Sequence, residues 1–342
     1  MEDKRYWHLG TRWGNLRFHR RSWLSLALIL VVLMAATVAA LALGTLHIGL
    51  DQTLNALLFD RGSAGHLLVV REIRLPRVAA ALVAGAAFGA SGMLMQGMAR
   101  NRLATPEFLG INDGAALAMV LYTMAETGKG LGPWWIPCTG ALATALFLVG
   151  AAGGVGIRGY RVLVVGIGIS GMLRAFSELF VSRLNLQHAS VIYDWSMGSV
   201  GLQGLDVSIP VAWGMAAATP LILLAGQRLM VMQFSEDLVV NLGVPIGASR
   251  LVIYFLAVIL AAFAVTLAGP VSFVALAAPV LACHMAGPTR IPVLGASAIG
   301  ALLVLGADAL GRYLGFPSQI PVGVVTTLLG GPFLLWVLLR EP

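Results

Sequence analysis

Residues 23–43 read WLSLALILVVLMAATVAALAL, an apolar run of 21 residues behind the basic positions Arg17, Arg20 and Arg21. A helix of about 20 apolar residues spans the roughly 30 Å hydrocarbon core of a bilayer. The run is longer than the core of a signal peptide (about 7–15 residues), and no small-residue cleavage site closes it convincingly. It is therefore expected to remain as a first membrane-spanning helix. The pattern then repeats, with candidate spans near 23–44, 78–98, 109–125, 134–156, 162–183, 208–227, 251–268, 270–287, 291–307 and 320–339. The third is weakest, because Asn112 and Asp113 stand at its start. The eighth and ninth are separated by Gly287-Pro288-Thr289-Arg290, which reads as a tight turn.

Composition says the same. Of 342 residues, 58% are hydrophobic and 11% charged, against about 25% charged in a soluble domain. A soluble chain of this size leaves too much surface to hide so many apolar groups. The 41 glycines suit helices that approach closely in lipid. The fold class expected is all-α and polytopic, with about ten transmembrane helices. A basic cytoplasmic tail over 1–22 precedes a single transmembrane domain over 23–340.

The net charge of +7 does not mark a nucleic-acid surface, because the basic residues form short clusters between apolar spans. With the N-terminus inside, the inner loops collect 14 Lys and Arg and the outer loops 7, with Arg174 left within a span. That bias places both termini in the cytoplasm. It also isolates an anomaly: Arg61, Arg71, Arg74 and Arg77 are four of the outer seven, all in one segment.

Catalytic chemistry is poorly represented. The chain has no GxxxxGK[ST], HExxH or GxSxG, and Gly128-Lys129-Gly130 lacks the remaining parts of a phosphate loop. The six histidines are dispersed, and Cys138 and Cys283 form no CxxC, so no metal or catalytic site is expected. Arg174 and Glu178 are rare intramembrane charges, and their four-residue spacing lets them pair on one helix face. They read either as a self-neutralised pair or as part of a substrate path.

The stretch 234–250, FSEDLVVNLGVPIGASR, reads as a short amphipathic helix in an inner loop. Ser235 is placed to cap it, and Glu236 and Asp237 suit the positive end of the helix dipole. Leu238, Val239 and Leu242 form an apolar face, and Gly243 followed by Pro245 ends the helix. Such a helix either lies in the membrane interface or docks a soluble partner.

Six strings in order resemble the permease subunits of the iron-siderophore, haem and vitamin B12 class of ABC importers (FecCD-type). They are RLPR (74–77), GAAFGASGMLMQGMARNRLATPEFLGINDGA (85–115), SEDLVVNLG (235–243), LAGPVSFVALAAP (267–279), AD (307–308) with Arg312, and IPVGVVTTLLGGP (320–332). The likeness runs from about residue 20 to the C-terminus and is strongest to ferric enterobactin-type permeases, notably in VVGIGISGML (164–173). It implies a type II ABC importer permease fold in a bacterial inner membrane. Two such subunits, alike or different, would surround a central path, with two cytoplasmic ATPase subunits below and a periplasmic substrate-binding protein above. The cargo would be a ferric siderophore, or else haem or cobalamin. ATP and magnesium would be bound by the ATPase partner, leaving this chain without a cofactor.

By the same resemblance, Arg74, Arg77 and Arg312 would dock acidic residues of the binding protein. Ser235, Glu236, Asp237, Leu238, Leu242 and Gly243 would form the coupling helix. Arg174 and Glu178, with Trp195 and Met197 of the stretch IYDWSMGSVGLQ (192–203), would belong to the path and its gate, although 192–203 reads equally well as a packed re-entrant turn. Two departures fall on the inner side: no histidine stands at Val280, with His284 four residues on, and Asn101 is followed by Arg102 rather than proline. A path for a bulky chelate is expected to be wide and poor in charge. The competing reading is a secondary transporter working alone on an ion gradient; an intramembrane enzyme has no catalytic constellation behind it.

Overall fold

The computed structural model describes residues 6–11, 14–42, 48–125, 132–154, 159–287, 291–315 and 318–340. Strands β1 (Tyr6–Thr11) and β2 (Gly14–His19) pair antiparallel, with Leu9 opposite Leu16. Helix α1 (Arg20–Ala42) follows directly. The all-α description thus belongs to the membrane domain. Short helices α2 (Leu50–Leu58) and α3 (Ala64–Leu67) come next. A π-helical segment, Leu68–Arg74, joins α3 to α4 (Leu75–Ala99), giving one apolar helical stretch of 36 residues.

A 3-10 turn at Pro106–Leu109 leads into α5 (Ile111–Ala125), followed by α6 (Trp135–Ala152), α7 (Gly159–Val181) and α8 (Leu186–Ser196). Then come α9 (Leu205–Val231), α10 (Glu236–Asn241), α11 (Ile246–Ala268), α12 (Val274–Ala286), α13 (Val293–Leu314) and α14 (Val322–Arg340).

Each of the ten apolar windows contains a helix. Seven helices among the described residues are long and apolar enough to cross a bilayer. Helices α5 and α12, at 15 and 13 residues, are too short to do so alone. For α12 the cause is local. The window expected at 270–287 opens with a break, where Gly269 and Phe273 take φ of +67° and +78°. A positive φ is rare outside glycine, and it stops helix α11 before α12 can start. Irregular backbone at membrane depth is tolerated where protein buries it or a cavity meets it, and both apply here. The turn expected at Gly287–Arg290 falls, beyond Gly287, outside the described residues.

Helix α4 is the central post, packed against α13, α11, α12 and α9. Its Ala80, Ala84, Phe88 and Leu94 are fully buried. Close approach explains its small residues: a Cβ on Gly85 would sit 2.6 Å from Ala301 Cα, and one on Gly92 would overlap the Ala275 carbonyl oxygen. Helix α1 is the opposite case, presenting Leu28, Val31 and Met34 outward, as a lipid-facing helix does.

Candidate translocation site and its two ends

A cavity of about 710 Å³ opens between the 3-10 turn, α5, α7, α8, the α11–α12 break and α14. Glu107 and Phe108 come from the turn, Asn112 and Asp113 from the start of α5, and Ser170, Arg174, Ser177 and Glu178 from one face of α7. Ile192, Tyr193 and Ser196 of α8 and Pro270, Ser272 and Phe273 of the break complete much of the wall, with Thr327 and Leu334 of α14.

Arg174 and Glu178 both line this space, but they do not form the ion pair that their spacing suggests. Arg174 instead reaches across to α5, its Nε and Nη2 each 3.4 Å from Asp113 Oδ1. Ser170 Oγ donates to the other Asp113 oxygen. The Asp113 side chain is only 14% exposed, and a buried carboxylate is costly without partners. Asp113 therefore takes the guanidinium, while Glu178 remains in the exposed part of the wall. Asp113 and Asn112, a blemish in the sequence of the third span, are thus cavity residues. Glu107, whose Oε1 accepts from Thr105 Oγ1 at 3.3 Å, was not singled out at all. Among the described residues this wall carries three carboxylates and one guanidinium.

Trp195 and Met197, expected together at a gate, part company. Trp195 closes α8 fully buried, and its indole N–H finds no acceptor among the described residues. Met197 is about half exposed. The chain after them is clamped: the Gly323 N–H donates to the Gly198 carbonyl at 3.1 Å, and a Cβ on Gly269 would overlap the Trp195 carbonyl oxygen. The stretch 192–203 is a helix end and turn held between the α11–α12 break and the start of α14.

At the Leu75 end of α4 the three arginines have distinct surroundings. Arg74 is turned into the chain. It is 5% exposed, and its Nη1 donates to the carbonyls of Leu41 and Ala42 at 2.8 Å each. These are terminal carbonyls of α1, which have no acceptor role within their own helix, so Arg74 caps α1. Arg77 donates from Nε to Asp308 Oδ1 at 2.8 Å and from Nη1 to Gln319 Oε1 at 2.6 Å, with Nη2 also 2.8 Å from Asp308 Oδ1. Arg312, one turn after Asp308 on α13, brings Nε to 3.2 Å from Asp308 Oδ2. Arg71 is held by Asp60 at 2.8 Å. The positive segment therefore finds most of its partners within the chain.

At the other end of α4, Arg100 takes a left-handed conformation (φ +49°) and donates to the carbonyls of Met232 and, at 2.6 Å, Phe234. Gln233 Nε2 adds a bond to the Gly97 carbonyl at 3.2 Å. These contacts hang α10 from α4. Ser235 occupies the N-cap position of α10, yet its side chain makes no capping hydrogen bond. Glu236 pairs with Arg250 at 2.8 Å, Asp237 is exposed, and Gly243 (φ +77°) ends the turn. The expected apolar face divides. Val239 is buried against the protein, whereas Leu238 and Leu242 point outward beside Phe234 and Val240, each 44–60% exposed.

The described residues form a many-spanned helical bundle with a charged cavity on one side and a short helix hung at one end, an architecture suited to membrane transport. The FecCD transport family model matches residues 29–340. The chain is 35% identical over 331 residues to a ferric enterobactin transport system permease protein of Escherichia coli (strain K12), covering 94% of this chain and 97% of that one. It is 33% identical over 341 residues to an achromobactin transport system permease protein of Dickeya dadantii (strain 3937), covering 96% of each. A solved metal-chelate type ABC transporter in an inward-facing conformation overlays with a TM-score of 0.77 at 21% identity, over 94% of this chain and all of that one. The chain belongs to the FecCD transport family and is a multi-pass membrane protein.

Proposed function

We propose that this chain is the membrane-spanning permease subunit of an ATP-driven importer that moves a ferric siderophore, or a related iron chelate, across a bacterial inner membrane. The family match along residues 29–340 carries the reading. The cavity supports it, being bounded by several helices and large enough to meet a bulky cargo on one side. In this reading a second permease subunit, identical or homologous, closes the cavity from the other side. Two cytoplasmic ATPase subunits supply the energy, with ATP and magnesium bound there.

Both termini lie in the cytoplasm, as the arginine and lysine bias favours. The α10 end of α4 then faces the ATPase, and Phe234, Leu238 and Leu242 are the side chains that enter it. Glu236, Asp237 and the turn at Gly243 frame that contact. The Leu75 end faces the periplasm and a substrate-binding protein. Arg77 and Arg312 are its cations, and Arg74 serves the fold by capping α1. Asp113, Arg174 and Glu178 line the path, while Trp195 and Met197 belong to the clamped segment above it. ATP-driven closure of the ATPases tilts the bundle between inward- and outward-open states.

Uptake of labelled ferric siderophores, haem and cobalamin by cells carrying the whole transporter tests the reading. Accumulation of an iron chelate that stops when the ATPase is inactivated is expected. Uptake that continues without the ATPase overturns it, and uptake confined to cobalamin removes the iron cargo.

A further inference from the structure

Strands β1 and β2 precede the part of the chain that matches the family, which begins at residue 29. Their register sorts residues by face, because cross-strand partners share a face of the pleat and the face alternates along each strand. One face takes the pairs Trp7–Phe18 and Leu9–Leu16, with Thr11–Gly14 at the end where the strands are joined. The other takes Tyr6–His19, His8–Arg17 and Gly10–Asn15. Four large apolar positions thus stand on one side, and basic, hydroxyl and amide positions on the other. A two-stranded hairpin is marginal in water by itself, so the apolar side gains by being covered. The surrounding sequence is basic. Residues 1–22 hold six Lys and Arg against Glu2 and Asp3, which makes four of the chain's net +7.

We propose that this hairpin lies flat on the inner leaflet, with the Trp7, Leu9, Leu16 and Phe18 face in the acyl boundary and the tail's basic residues at anionic phospholipid headgroups. It rests on the cytoplasmic N-terminus of the proposed function and not on the cargo. Continuity selects lipid as the occupant. His19 ends β2 and Arg20 starts α1, and α1 exposes Leu24, Leu28 and Val31 as a lipid-facing helix does. The height is fixed as well. Arg21 donates to the carbonyls of His284 and Met285 at 3.0 Å each, and Ser22 Oγ to that of Ala286 at 3.3 Å. These residues close α12, so the hairpin leaves the bundle at the level where α1 begins and α12 ends. Charge agrees, because the cytoplasmic leaflet is negative and attracts basic segments beside a membrane helix. Tyr and Trp favour the same interface, and apolar burial and headgroup attraction add together in an amphipathic segment.

The test uses the whole transporter in vesicles of phosphatidylcholine, with or without a one-third share of phosphatidylglycerol. Cys138 is buried and stays in place, and Cys283→Ala removes the other thiol. Single nitroxide labels are attached through His8→Cys, Leu9→Cys, Leu16→Cys or Arg17→Cys, and their collisions with oxygen and with a water-soluble nickel chelate are compared. Labels at 9 and 16 are expected to favour oxygen several-fold over labels at 8 and 17, and to lose part of that preference in neutral vesicles. Equal ratios at all four positions overturn the inference. So does shielding of 9 and 16 from both reagents that appears only with the ATPase present, because the hairpin then docks on that protein. A second measurement needs no label. Amide hydrogen exchange over residues 6–19 of the unaltered chain is expected to slow several-fold when phosphatidylglycerol is present, and Arg12→Gln with Arg17→Gln to abolish the slowing. Identical exchange in the two vesicles overturns the inference. Reaction of an Asp3→Cys variant with an impermeant thiol reagent outside intact cells would instead contradict the cytoplasmic N-terminus, while the label pattern still judges lipid contact.

Discussion

The two ends of α4 solve opposite problems. At the Leu75 end, the charges of Arg74, Arg77 and Arg312 turn inward, toward the α1 carbonyls and Asp308. At the Ala99 end, the cation Arg100 is again tied to backbone, but what it holds is a loop whose apolar side chains turn outward. An apolar side chain gains most by leaving water, so exposed Phe234, Leu238 and Leu242 form the surface that the proposed function gives to the ATPase. A guanidinium loses hydration on burial and needs acceptors, so the other end is largely completed from within. The bundle is therefore poised differently at its ends: a greasy knob at one, a charge latch at the other.

Replacing Phe234, Leu238 and Leu242 together with Asp should break the contrast most severely. Co-purification with the ATPase is expected to be lost, while the permease stays folded, since none of the three is buried. A variant that still co-purifies would mean the knob is not the contact. Reversing Glu236 and Asp237 to Lys should act in the same direction and more weakly, through charge alone.

At the latch, Arg77→Ala strands the buried Asp308. Removing one partner of a buried pair costs about 3–5 kcal/mol, to be read as a large drop in thermal stability in detergent. Arg77→Ala together with Asp308→Asn should recover part of that loss. No loss at all would show that the latch is as superficial as an ordinary surface pair. Glu236→Gln, which removes the exposed Glu236–Arg250 pair, sits at the small end. A change of about 0–1 kcal/mol is expected, and a larger one would mean that the knob is also held by charge.

The spans were legible because an apolar run about 20 residues long has few other uses, and each window from 23–44 to 320–339 contains a helix. The α10 helix was legible from its acidic start and glycine stop. Its exposed face was read only in part, because the inward turn of Val239 depends on how Arg100 hangs the loop. The cavity was half legible. Arg174 and Glu178 stood out as charges inside a span, but Asp113 looked like a defect in a helix rather than the partner of Arg174, 61 residues on. Local spacing favoured a 174–178 pair, and only the packing of α5 on α7 decides otherwise. Arg74 illustrates the limit. Nothing in RLPR tells an arginine that faces a partner from one that reaches back 33 residues to cap α1. Asp308 was quoted in its motif, but its bond to Arg77 spans 231 residues, and no spacing rule reaches so far.

The most direct measurement is iron uptake into proteoliposomes that hold this permease with its second subunit, and with or without the ATPase, in the presence of the chelate-loaded binding protein. The account predicts accumulation only when the ATPase and ATP are both present, and its disappearance when Phe234, Leu238 and Leu242 are replaced. Accumulation in vesicles lacking the ATPase, driven by an imposed proton or sodium gradient, would contradict it.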